Sequence, residues 1–248
     1  MKGKAAVFFK VLSMFTVILL VAFSATSCIR IVGIRGSGDV SSEERNIAGV
    51  DSVSVGSGIN LYIDQNGTET LRIEAEDNIL PLIVTEVENG HLKIDYKITL
   101  FRGLSLTKPV NIYLTVKEVN RVGISSGSTL RSENLKTDSL KLDLSSGAEG
   151  KITVDTNELE IRLSSGSRLT VSGKTADQEV DLSSGTVYEA EELSSRTAVL
   201  EVSSGATATV NVSENLDVDI SSGGIVRYSG SPQIISDISS GGSLQSKQ

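Results

Sequence analysis

Four kinds of side chain here carry reactive or tethering chemistry: one histidine, one cysteine, a recurring serine pair and a recurring carboxylate. His91 is the sole imidazole. It follows Asn89-Gly90, so it reads as a solvated residue beside a turn. Cys28 is the sole thiol, which leaves no internal disulfide to form and, with a single histidine, no zinc constellation. Ser-Ser-Gly recurs at Ser125, Ser145, Ser164, Ser183, Ser203, Ser221 and Ser239. A row of nucleophilic serines would need an adjacent base, and the sequence supplies no nucleophile–base pair. These serines read as structural, and the expected catalytic set is empty.

The carboxylates form their own series. Two positions before each Ser-Ser-Gly after the first stand Asp143, Arg162, Asp181, Glu201, Asp219 and Asp237, and one outward position earlier stand Glu160, Glu179 and Asp217. Stacked about 4.8 Å apart, such carboxylates raise one another's pKa and attract a hard cation such as Ca²⁺. Arg162 interrupts the column and the calcium-binding Gly-Gly-x-Gly-x-Asp repeat is absent. The column therefore reads as a solvated face, with no metal and no cofactor expected.

The elements that position these residues follow from the spacing. The tripeptide returns after 20, 19, 19, 20, 18 and 18 residues, the mark of a repeat architecture. Before it, residues alternate: Leu140-x-Leu142-x-Leu144, Leu159-x-Ile161-x-Leu163, Leu216-x-Val218-x-Ile220. After it they alternate again, as in Leu169 and Val171, Ala208 and Val210, Val226 and Tyr228, with Tyr188 also inward. Period-two alternation makes a strand with one buried face. Each period is then strand, Ser-Ser-Gly corner, strand and polar corner, and coils must stack to bury their apolar sides. Continuing the alternation through the corner predicts that the second serines (Ser126, Ser146, Ser165, Ser184, Ser204, Ser222, Ser240) point inward as a hydroxyl column. The glycine after them should take φ > 0.

Val53-x-Val55-Gly56-Ser57-Gly58-Ile59-Asn60-Leu61-Tyr62-Ile63 fits the same pattern as an eighth, diverged copy, with Gly58 at the corner and Leu61 and Ile63 inward. A long insertion separates it from the next copy. Asn89-Gly90 between alternating runs predicts a type I′ hairpin inside that insertion, which should cap one end of the stack. Ile98 to Lys108 reads as a loop. Side chains vary most in this part, so the candidate ligand region is Tyr62, His91 and Phe101.

Ahead of all this, Met1 to Lys10 carries Lys2, Lys4 and Lys10, and Val11 to Phe23 is apolar. Ser24-Ala25-Thr26-Ser27 then leads into Cys28. A basic start, a short apolar run and small residues describe a secretory signal. The run into Cys28 resembles the lipobox of bacterial lipoproteins, which implies cleavage before Cys28 and lipid, palmitate included, on its new N-terminus. No acidic residue adjoins Cys28, which in such proteins favours an outer-membrane anchor facing the periplasm over the alternative, display on the cell surface. The expected layout is a signal peptide over 1–27, a lipidated tether over 28–46, a solenoid domain over 47–242 and a tail over 243–248. Without the three leader lysines the chain keeps 20 basic and 31 acidic residues, net −11. Such a body repels phosphate backbones, so no nucleic acid is expected as partner.

Gly58-Ile59-Asn60, in a β chain with later Ser-Ser-Gly corners, resembles the head GIN domain family, a family described as autotransporter adhesin heads. The resemblance implies a single-stranded right-handed β-helix with an adhesion or envelope role. Together these readings give an all-β solenoid of 18–20 residues per coil with a wider N-terminal β region. The function expected is a non-enzymatic envelope lipoprotein whose partners are the membrane, through its lipid, and an envelope glycan or protein. The competing reading is a polysaccharide-acting β-helix lyase or hydrolase.

Overall fold

The computed structural model describes residues 33–97 and 103–247. Cys28, the expected signal peptide before it and Phe101 lie outside them. The chain divides into two compact units. In the smaller, β1 (Ile34–Arg35) pairs in parallel with a strand at Leu104–Ser105. The larger holds every other strand. Its N-terminal region contains β2 (Val40–Arg45), β3 (Ser52–Val55), β4 (Asn60–Gln65), β5 (Thr70–Glu76), β6 (Ile83–Glu88) and β7 (His91–Tyr96). Counting Leu104–Ser105 as β8, β9 (Asn111–Val116) and β10 (Arg121–Ile124) follow. The repeated region contains β11 (Thr129–Leu144), β12 (Glu149–Leu163), β13 (Arg168–Leu182), β14 (Val187–Val202), β15 (Thr207–Ile220), β16 (Ile225–Ser229), β17 (Gln233–Ile238) and β18 (Ser243–Ser246). The only helical turn among the described residues is a 3₁₀ turn at Leu80–Leu82.

The solenoid is present, with about seven turns. Strands of the repeat pair in parallel one period apart: Asp143 faces Arg162, Arg162 faces Asp181, Asp181 faces Glu201, Glu201 faces Asp219 and Asp219 faces Asp237. Alternate residues close the core, with Leu140, Leu142, Leu144, Leu169, Val171, Tyr188, Ala208, Val210 and Val226 all buried. The diverged copy joins as expected: Leu61 pairs with Leu130 and Ile63 with Ser132.

The strands run farther than the sequence suggests. β12 passes straight through Thr156-Asn157-Glu158, and β13 through Thr175-Ala176-Asp177. The polar corner is a bend inside a continuous ladder, eased by register shifts such as the one between Thr170 and Gly173. Gly173 takes φ +106°, and a Cβ there would lie 2.1 Å from the Val154 carbonyl oxygen.

The serine corner corrects an expectation. Ser126, Ser146, Ser165, Ser184, Ser204, Ser222 and Ser240 are exposed, not inward. Each has positive φ (53° at Ser165), as does the glycine after it (73° at Gly166). Two successive positive φ values make a type I′ turn, closed by bonds such as Ala148 N to Ser145 O at 3.1 Å. A left-handed residue breaks the alternation, so counting by twos fails across it. The buried residue is the one after the glycine: Ser128, Ala148, Ser167, Thr186 or Ala206. The turns are also laddered, because Gly147 N donates to Ser165 O of the next coil while Ser145 N donates back to Ile124 O. A hydroxyl column does exist, at the opposite bend. Thr156 Oγ1 donates to Asp138 O at 3.0 Å, Thr175 Oγ1 to Asn157 O at 3.3 Å, and Ser213 Oγ to Ser195 O at 3.2 Å.

The N-terminal region adds antiparallel strands to this parallel scaffold. β6 and β7 form the hairpin, turning at Asn89 (φ 49°) and Gly90 (φ 81°), and β7 covers β3. β5 pairs antiparallel with β9 on one side and β2 on the other. Val40–Arg45, read as tether from sequence, is thus an edge strand of the sheet. At the other end Ser243–Ser246, read as tail, pairs with β16.

Candidate functional site

The N-terminal region carries an aromatic surface that the coils lack. Tyr62 of β4 and Tyr113 of β9 face each other across the ladder, and alternation turns both outward. Their rings stack with centroids 5.0 Å apart and planes 14° from parallel. Arg72 of β5, opposite Tyr113 on its other side, sets its guanidinium 4.0 Å from the Tyr113 centroid. The order is guanidinium, ring, ring, a cation–π contact continued by an aromatic pair. Glu74 bonds Arg72 and fixes its planar fork. Burial, then the hydrogen bond to Glu74, hold the Tyr113 hydroxyl above its ordinary pKa, so it remains a donor.

Beside the stack lies an open groove of about 440 Å³, lined by Glu44, Asp64, Glu69, Arg72, Tyr113 and Thr115. Glu69 accepts the Gly49 and Val50 N–H groups at 3.1 and 3.2 Å. The Gly49 bond most of all, helped by Lys117, holds its carboxyl below the usual range. A second carboxylate, Glu76, is buried. It accepts hydrogen bonds from the Thr107 hydroxyl and N–H and from Gly38 N–H, which lower its pKa and pin the strand ends on either side.

Of the three residues expected to share a ligand region, the structure does not bring Tyr62 and His91 together. Tyr62 follows the Ser57-Gly58 corner, whereas His91 lies in register with Ser52, ahead of it. Phe101 lies outside the described residues. His91 is half-buried rather than solvated. Its Nε2 is 2.8 Å from Ser54 Oγ and its Nδ1 3.1 Å from Ser52 Oγ. The expectation of no nucleophile–base pair is therefore corrected, since whichever serine donates to the bare ring nitrogen has a base. A serine hydroxyl on the other nitrogen carries no charge to stabilise an imidazolium, as the carboxylate of a catalytic triad does. The arrangement ties β3 to β7.

The GIN residues are structural. Gly58 takes φ +77° at the turn. Ile59 is fully buried at the position that follows the corner glycine, and both Gly58 and Ile59 donate to Ser128 Oγ at 3.1 Å. Asn60 sits in a polar ladder, donating to Asn111 Oδ1 at 2.9 Å and accepting from Thr129 at 2.8 Å.

On the face ahead of the corners the acidic column exists in register, but cations tame its first half. Arg121 pairs with Asp143 at 2.8 Å, and Glu160 takes Lys141 at 2.5 Å and Arg162 at 2.8 Å. The Lys141 bond leads in lowering the Glu160 pKa. Among the described residues no three histidine, cysteine or carboxylate groups converge to hold a metal, and no helix is long and apolar enough to cross a membrane.

The model of one protein family, described as "Putative auto-transporter adhesin, head GIN domain", matches residues 49–232. No curated protein matches the chain. Solved structures share the fold at low identity. A "putative adhesin" from Bacteroides fragilis superposes with a TM-score of 0.81 at 20% identity, covering 87% of this chain and all of its own. A "putative adhesin" from Parabacteroides merdae gives 0.70 at 16% identity, with 88% and 100% covered. A "Putative lipid binding protein" from Parabacteroides distasonis gives 0.72 at 20% identity, with 87% and 99% covered.

Proposed function

Because the chain belongs to the head GIN domain family, we propose that it is a non-enzymatic binding module of the cell envelope, of the adhesin type, held on the membrane by lipid on Cys28. The observation that supports this reading is the Arg72–Tyr113–Tyr62 stack. Tyrosine and arginine dominate the energetics of binding surfaces. Here they are held rigid by strand pairing, so little side-chain freedom is lost on contact. The carboxylates point the same way. Glu69, Glu76 and Glu160 are pulled below the ordinary range by N–H, hydroxyl and lysine partners, whereas a general acid that splits a glycoside needs its pKa raised. The anchor reading rests on the lysines, apolar run and small residues that precede Cys28, and it puts the module on the outer membrane, facing the periplasm.

Two measurements test this. Mass spectrometry of the mature N-terminus should find a lipidated Cys28, and Cys28→Ser should remove lipid and release the protein from membranes. An unmodified Cys28 or a different start overturns the anchor. Retention of envelope polysaccharide on immobilised protein should fall at least tenfold in Tyr62→Ala/Tyr113→Ala. Turnover of any glycan would replace the binding reading with the enzymatic one.

A further inference from the structure

We infer that the stack is one end of a longer stripe that takes an acidic polysaccharide lying across the strands. This deepens the binding reading above and rests on it. Strand register continues the line of Arg72, Tyr113 and Tyr62 to Arg131 on β11 and then Lys151 on β12. Five consecutive strands thus present one outward row, at intervals of about 4.8 Å. Arg131 and Lys151 are exposed and have no ion-pair partner among the described residues. Arg168 and Lys174, by contrast, are engaged, with Glu189 at 3.0 Å and Asp155 at 3.4 Å. On a body of net charge −11 outside the leader, two uncompensated cations beside a ring stack form a local reversal of sign.

The stack also selects the ligand. Arg72 covers one face of Tyr113 and Tyr62 the other, so a neutral sugar cannot lie flat on that ring. What remains open is the Tyr62 hydroxyl, the Arg131 guanidinium and the Lys151 ammonium, all donors. A row of donors fits a row of acceptors, and charged acceptors best, because carboxylate–guanidinium bonds are the stronger kind. The strand interval is close to the length of one pyranose in an extended chain, so successive acidic sugars meet successive strands. Weak contacts then add through effective concentration. A flat anionic bilayer fits worse, since it would also press on Glu149 in the neighbouring row and on Glu189, two strands beyond Lys151 in the same row, whereas a single chain needs only the stretch from Arg72 to Lys151.

The test uses the full mature chain, purified in detergent, with polygalacturonate as the acidic polymer, dextran as the neutral one and phosphatidylglycerol vesicles as the lipid surface. Polygalacturonate should bind, and salt should weaken it. Arg131→Gln/Lys151→Gln should weaken it at least tenfold with unchanged circular dichroism, while Arg168→Gln, outside the row, should leave it unchanged. Dextran should not bind. Equal binding by the double variant, equal binding of dextran, vesicle binding without polygalacturonate binding, or no binding of either polymer would each overturn the inference. The broader binding reading fails separately, by loss of none of the envelope polysaccharide retention in the tyrosine variant.

Discussion

The coils from β11 to β15 and the N-terminal region before them close similar apolar cores in opposite ways. In the coils the strands pair in parallel with their equivalents one period away, and hydroxyls such as Thr156 and Thr175 complete the bends. The N-terminal region has no equivalent neighbour to lean on. It uses charged side chains instead: Arg45 donates to Ile83 O at 2.7 Å and to Leu80 O at 3.3 Å, and Glu69 and Glu76 accept backbone N–H groups. Repetition satisfies backbone by translation, while irregular backbone needs ionised side chains, which also leave aromatic rings and cations at the surface.

The comparison breaks most severely if the period is disturbed. Deleting Ser164–Leu182 should yield a shorter folded stack, because the next corner arrives in register. Deleting Ser164–Ser172 should unfold the coils. Each misplaced apolar side chain forfeits about 1.5–3 kcal/mol, and a few of them exhaust the roughly 5–15 kcal/mol of a whole domain. Thermal melts followed by circular dichroism separate the two, and equal damage would refute equivalence of the coils.

Next comes the corner. Ser167→Leu enlarges a buried site behind the turn, where Ser167 Oγ donates to Leu144 O at 3.0 Å, and should cost about 1–3 kcal/mol by overpacking. Ser165→Leu, on the exposed turn, should cost less, and a reversed ranking in denaturant melts would reinstate the inward-serine arrangement. A comparable loss, about 1–3 kcal/mol, is expected from Tyr188→Phe. Tyr188, fully buried with its hydroxyl pKa pushed up by that burial, donates to Gln178 Oε1 at 3.0 Å, and Gln178 donates to Ser195 Oγ at 2.7 Å. Removing the hydroxyl strands the Gln178 oxygen.

The smallest effect should distinguish the regions by pH. Backbone and hydroxyl hydrogen bonds hold the Glu69 and Glu76 carboxyls below the ordinary glutamate pKa in the folded state. A carboxyl depressed by folding stabilises fully above its unfolded pKa and ceases to as pH falls through the folded one. Acidification below that unfolded value should therefore raise hydrogen exchange first in β2, β5 and the 107–108 segment, with β13 and β14 protected longer. Uniform loss of protection would show that the two regions are not secured differently.

Most of the coil was legible in the sequence because period and alternation are both one-dimensional. The eighth copy at Val53 and the hairpin at Asn89-Gly90 were legible for the same reason. The inward side of the corner was not, since a residue with positive φ reverses the count. The signal was nonetheless present: Ser128, Ala148, Ser167, Thr186, Ala206, Gly224 and Gly242, the residues after the seven Ser-Ser-Gly tripeptides, are all small. The Tyr62–Tyr113 stack was illegible because an insertion separates its members and only strand pairing joins them. The same is true of His91 with Ser52 and Ser54, three residues whose contact no local pattern announces.

The register of the diverged copy also bears on the order in which the chain folds. Asn60 bonds Thr129 across 69 residues, while Thr153 meets Ser172 across 19. Loop closure before contact slows folding as that separation grows, and repeats can nucleate at any pair of neighbours and propagate. The coils are thus the fast-folding part and the N-terminal region closes onto them afterwards. The segment before β3 therefore completes last, since β4 must await both β9 and β11 to pair on its two sides. The surface that carries the tyrosine stack comes into being only once the scaffold behind it exists.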